Sequence, residues 1–88
     1  MRIDKRYKVR NVVNEHVVII QDNGENEMAK MMALNETSYL LWTSLENQDF
    51  EIQDVQQVLL NNFNVDPEVA LKDATEWVNT LKENGIIL

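Results

Sequence analysis

Asp73 and Glu76 stand three residues apart, one turn if this stretch is helical, and two carboxylates at that spacing can divide acid–base work. The chain holds fifteen acidic residues, however, so solvated pairs at this spacing arise by number alone. The single histidine, His16, has no second imidazole for a relay and reads as a surface residue beside a strand start. Ser38 and Ser44 lack a glycine-framed elbow and a nearby base. Cysteine is absent, which removes thiolate nucleophiles, disulfides and cysteine-ligated metal centres together. The two glycines, Gly24 and Gly85, are isolated and cannot build a phosphate-cradling loop. Asn35-Glu36-Thr37 matches the glycosylation triplet, but Asn35 serves better as a helix cap. These residues assemble no catalytic site, cofactor site or metal centre, and a protein without enzymatic activity is expected.

One cluster keeps a functional reading. Three of the four methionines, Met28, Met31 and Met32, fall in one expected strand, with Ala29 and Ala33 between them. They either fill core or line a soft, adaptable peptide groove, since unbranched thioethers repack around varied side chains. If the strands are ordered as they follow in the chain, this one is an open edge. It is apolar on both faces, with Lys30 in its middle, and such an edge needs protection or a partner.

The elements that must position these residues are legible from periodicity. Tyr7, Val9, Asn11 and Val13 alternate as in a half-buried strand, and Asn14-Glu15 separates them from the β-branched run Val17–Ile20. Asp22-Asn23-Gly24 is a turn signal, and a third strand follows through Met28, Lys30, Met32 and Leu34. Asn35 caps a first helix with Leu41, Trp42 and Leu45 on one face, ended by Asn47-Gln48-Asp49. Ile52, Val55, Leu59 and Phe63 form the stripe of a second helix. Asp66-Pro67-Glu68 opens a third, whose buried stripe is Ala70, Ala74, Trp77, Val78 and Leu81. Gly85 falls where a left-handed residue ends a helix, and Ile86-Ile87-Leu88 runs off as an extended tail on the core. The fold class expected is α+β and winged-helix-like: a three-stranded antiparallel meander followed by three helices. Trp42, Phe63 and Trp77 are the expected core anchors.

At 88 residues the chain is one domain, spanning 1–88. The first ten residues carry Arg2, Lys5, Arg6, Lys8 and Arg10 against Asp4. The remainder holds Lys30, Lys72 and Lys82 against fourteen carboxylates, for a net charge of −7. A body this acidic repels phosphate backbones, so no nucleic-acid partner is expected for its main surface. Residues 1–6 read as a frayed basic head. The longest apolar run, Val17–Ile20, is far short of the ~20 residues that span a bilayer. With no apolar stretch behind the N-terminal charges, a cytoplasmic protein with no membrane partner is expected.

The run Leu34-Asn35-Glu36-Thr37 with Trp42, followed by Phe63-Asn64-Val65-Asp66, Asp73-Ala74, Trp77-Val78, Leu81 and Gly85-Ile86-Ile87, resembles the coenzyme pyrroloquinoline quinone synthesis protein D family (PqqD-like). The resemblance covers about Tyr7 to Leu88. It implies a recognition element for ribosomally made, post-translationally modified peptides. Such a protein binds the leader segment of a precursor peptide and presents it to a modifying enzyme, often a radical S-adenosylmethionine protein. The leader would add as a strand to the third strand and pack against the third helix. Carried onto this chain, the peptide-binding residues would be Met28, Ala29, Lys30, Met31, Met32, Ala33 and Leu34, with Asp73, Glu76, Trp77 and Thr80 as the opposite wall. Glu51 stands where the family often has Ser or Thr, and Ala74 where it usually has a larger residue. Two other functions fit the same elements. A winged-helix DNA-binding regulator needs basic residues on the helix after the turn, where this chain has Asp66, Glu68, Asp73, Glu76 and Glu83 against Lys72 and Lys82. A generic protein-interaction or dimerisation module would share the fold without the peptide.

Overall fold

The computed structural model describes residues 1–20 and 30–88. Three strands, β1 (Val9–Val12), β2 (Glu15–Ile20) and β3 (Lys30–Leu34), precede three helices, α1 (Glu36–Leu45), α2 (Ile52–Asn62) and α3 (Pro67–Glu83). The sheet is antiparallel with order β1-β2-β3, the expected meander. The expected turn at Asp22-Asn23-Gly24, like Met28 and Ala29, lies outside the described residues.

Local chemistry accounts for the element ends. Asn35 Oδ1 accepts from the Ser38 amide at 2.8 Å and caps α1, as its position suggested. At the start of α2 the Glu51 amide donates to Asp54 Oδ2 at 2.7 Å, so a charged residue fills the capping role. Gly85 takes φ +70 and closes α3: its amide bonds Lys82 O, and Ile86 N bonds Leu81 O, the two reverse bonds of a Schellman ending.

Register assigns the strand faces. Val18 opposite Met32 and His16 opposite Leu34 share the face toward the helices, where Val18 and Leu34 are buried. The α3 stripe Ala70, Ala74, Trp77, Val78 and Leu81 is buried throughout, and α2 packs along it through Val55 and Leu59. Among the described residues no helix is long and apolar enough to cross a membrane.

Three expectations change. Phe63 is no anchor: it caps the end of α2 with extended dihedrals (φ −135, ψ 149), leaves the helical stripe and stays 40% exposed. Phe50, in the α1–α2 connection, fills the core beside Trp77, with ring centroids 6.3 Å apart. The first hairpin turns at Val13-Asn14, not Asn14-Glu15, because Val12 pairs with Glu15. Both turn residues take positive φ, 47 for Val13 and 66 for Asn14, the type I′ arrangement that follows the sheet's twist. Valine is poorly suited to that region, and its side chain stands in solvent.

Residues 1–6 are docked, not frayed. Ile3 is 1% exposed and forms a bridge with Ile87, while Asp4 N donates to Ile86 O and Leu88 N to Arg2 O, each at 2.8 Å. The extended tail is thereby an added pairing surface for the first residues. Asp4 is buried, and Arg6 covers it, donating through Nε (2.9 Å) and Nη2 (2.6 Å) to one carboxylate oxygen and through its amide (3.0 Å) to the other. These bonds hold the Asp4 carboxyl below the ordinary aspartate value.

Candidate functional site: the edge of the sheet and the cleft beneath it

β3 has β2 on one side and, among the described residues, no strand on the other. Its outward amides and carbonyls therefore have no ladder partner there, and an extended chain could supply one. Alternation along β3 decides what lies to each side. Met32 and Leu34 face the helices, and Met31 lies on the opposite face, 67% exposed.

A cleft of about 440 Å³ opens between this edge and α3. From the strand side it is bordered by Met32, Ala33 and Leu34, and from α3 by Asp73, Glu76, Trp77, Thr80 and Leu81. Positions 73, 76, 77 and 80 follow the helical repeat and share one side of α3. The acids are exposed at the rim and Trp77 is buried below them. Leu41 of α1 and Leu59 of α2 complete an apolar floor. The Thr80 hydroxyl donates back to Glu76 O at 2.9 Å, which occupies its proton within the helix.

The two tryptophans differ at their one polar atom. Trp42 Nε1 donates to Glu46 Oε2 at 3.0 Å. Trp77 Nε1 is buried without a partner among the described residues, although its ring borders the cleft. A buried indole N–H normally finds an acceptor.

Of the residues singled out from sequence, seven meet around this cleft: Met32, Ala33, Leu34, Asp73, Glu76, Trp77 and Thr80. Met31 lies away from it, and Lys30 begins β3 opposite Ile20. The sequence reading missed the β3–α1 junction, where Asn35, Thr37 and Ser38 border the cleft, and the floor residues Leu41, Leu59 and Leu81. The apolar three were legible as helix stripes. Which of those stripes a cleft would reach depends on helix packing. His16, read as a lone surface residue, is half-buried: its ring stacks on Tyr39 at 3.7 Å and its Nδ1 lies 2.6 Å from Asn11 Oδ1.

Compared with known families, residues 15–87 match the one described as coenzyme PQQ synthesis protein D (PqqD). The match takes in β2, β3 and all three helices, hence every described residue around the cleft. No curated protein and no solved structure matches the chain.

Proposed function

The chain belongs to the coenzyme PQQ synthesis protein D family, and from that premise we propose that it is a non-catalytic peptide-binding adaptor. It takes the leader segment of a ribosomally made precursor onto the open side of β3 and presents it to a modifying enzyme, such as a radical S-adenosylmethionine protein. The observation that carries this reading is the β3 edge, unpaired on its outer side among the described residues, running along a cleft walled by α3.

The dimensions favour a division of labour within the bound segment. A volume of about 440 Å³ is at the small end of ligand pockets and takes a few side chains, not a whole peptide. The segment's backbone therefore pairs with β3, and its alternate side chains enter the cleft, the mode of strand addition. Each ladder bond contributes ~0.5–1.5 kcal/mol net. The apolar floor adds ~25 cal/mol for each Å² it covers.

Proline tests the pairing directly. Amides of adjacent strand residues point to opposite sides, so of Met31→Pro and Met32→Pro one removes a donor from the open side. Short peptides selected from a random display library against the domain serve as probes. With circular dichroism showing an intact fold, the variant that lacks the outward donor should bind them about tenfold more weakly or worse. If both variants stay folded and bind as tightly as the parent, strand addition at β3 is wrong.

A further inference from the structure

The cleft does not end with β3. Ala33, Leu34, Asn35 and Ser38 also border a second hollow of about 550 Å³, which reaches the β1–β2 turn and the start of α1. An extended segment lying on the edge would continue into it past the last residue of the strand.

The charge along this track is one-sided. Asp73 and Glu76 stand at the α3 end, Glu15 and Glu36 at the far end, and none of the Lys and Arg residues at 1–20 and 31–88 borders either hollow. None of the four carboxylates has an ion-pair partner among residues 1–20 and 31–88. Between the two acidic ends lies the apolar floor. An independent observation also points to an occupant: Trp77, nine-tenths buried at the cleft, holds an indole N–H with no acceptor among the described residues.

Resting on the adaptor reading, we infer that the segment taken up is a basic amphipathic peptide. Its apolar side chains cover the floor, and a backbone or side-chain oxygen accepts from the Trp77 N–H. One Lys or Arg reaches Asp73 and Glu76, and a second reaches Glu15 and Glu36. Charge pairs beside a low-dielectric floor are stronger than pairs in open solvent. Pairs at a rim also speed encounter, an effect that salt weakens.

The test starts from the same random display library. The pool retained by the parent domain should be enriched in Lys and Arg at two places flanking apolar residues. One such peptide is then made twice, once as selected and once with its basic residues replaced by norleucine. Two double variants of the domain are compared, Asp73→Asn with Glu76→Gln and Glu15→Gln with Glu36→Gln. Each should weaken the basic peptide about fivefold and leave the norleucine peptide unchanged. A pool without basic enrichment overturns the charge assignment, as does a basic peptide that binds both double variants as tightly as the parent. The adaptor reading separates cleanly: it survives such a result if Met31→Pro or Met32→Pro still abolishes binding, and falls if neither does. An empty pool overturns both.

Discussion

The two ends of this domain treat their backbone groups in opposite ways. At the closed end, the first residues, the Phe50 segment and the C-terminal tail bond one another: Phe50 N reaches Met1 O, Asp4 N reaches Ile86 O and Leu88 N reaches Arg2 O, all at 2.8 Å. At the other side β3 leaves one row of peptide groups without a strand partner among the described residues. The tryptophans repeat the contrast, Trp42 with its N–H bonded to Glu46 and Trp77 with its N–H unpaired among the described residues. A segment whose polar groups are satisfied contributes stability and has little left to offer another chain. A segment with unsatisfied groups beside an apolar hollow contributes recognition. Under the proposed function, stability and recognition are thus carried by separate parts of one small fold.

Substitutions at the two indoles give the largest separation. Trp42 is 0% exposed, and Trp42→Ala should cost ~3–5 kcal/mol in denaturant titration. A loss under ~1 kcal/mol would place Trp42 outside the working core. Trp77→Phe should cost less than Trp42→Phe, because it removes a donor that has no acceptor among the described residues, whereas the other strips Glu46 of its bond. Peptide affinity should follow the reverse order, falling for Trp77→Phe alone.

The closed end is tested next. Ile3→Ala should destabilise by ~2–4 kcal/mol and leave peptide affinity of the folded fraction unchanged. A neutral result would mean that the first residues lie on the core without contributing to it.

A smaller effect at the same end depends on pH. The folded Asp4 carboxyl lies below its unfolded value, so the native state favours the ionised form. Its contribution is complete above the ordinary aspartate value of ~3.9 and is lost as pH falls through the lower folded value. Asp4→Asn should therefore lower stability at neutral pH and flatten the acid side of the stability curve. An unchanged acid limb would show that the Arg6 contact has no energetic weight in solution.

The smallest effect is a gain. Val13 holds a β-branched side chain at φ 47 in open solvent, where asparagine fits better. Val13→Asn should stabilise the hairpin by ~1 kcal/mol without changing peptide binding, read from the thermal midpoint.

The helices were legible because their signals are local. The α3 stripe, the Asn35 cap and the Gly85 ending each lie within a few residues, and their periods match the structure. On the strand side the methionine-rich run stands out along the chain, with Met32 of it at the cleft, whereas the wall at 73, 76, 77 and 80 was named through the family resemblance. What escaped depends on distance. Phe50 lies in a connection with no period, and its partners Met1 and Trp77 are far away in sequence. The basic head looked frayed because only Ile86 and Ile87 reveal what Ile3 packs against. The hairpin at Val13-Asn14 escaped because valine carries no signal for positive φ. Of the acidic ends of the track, Asp73 and Glu76 stood out as a pair in the sequence, whereas Glu15 and Glu36 were not read as part of a site. Glu15 and Glu36 come together with the cleft through pairing of β2 with β3.

The central claim is that an incoming chain pairs with β3, and residue-resolved amide hydrogen exchange tests it most directly. The domain is measured alone and with a library-selected peptide near saturation. The account predicts that alternate amides of β3, those facing away from β2, exchange markedly more slowly when the peptide is bound. Their neighbours, already bonded to β2, should change little. Exchange along β3 that stays the same while the peptide is demonstrably bound would contradict the account and move the peptide's seat elsewhere on the domain.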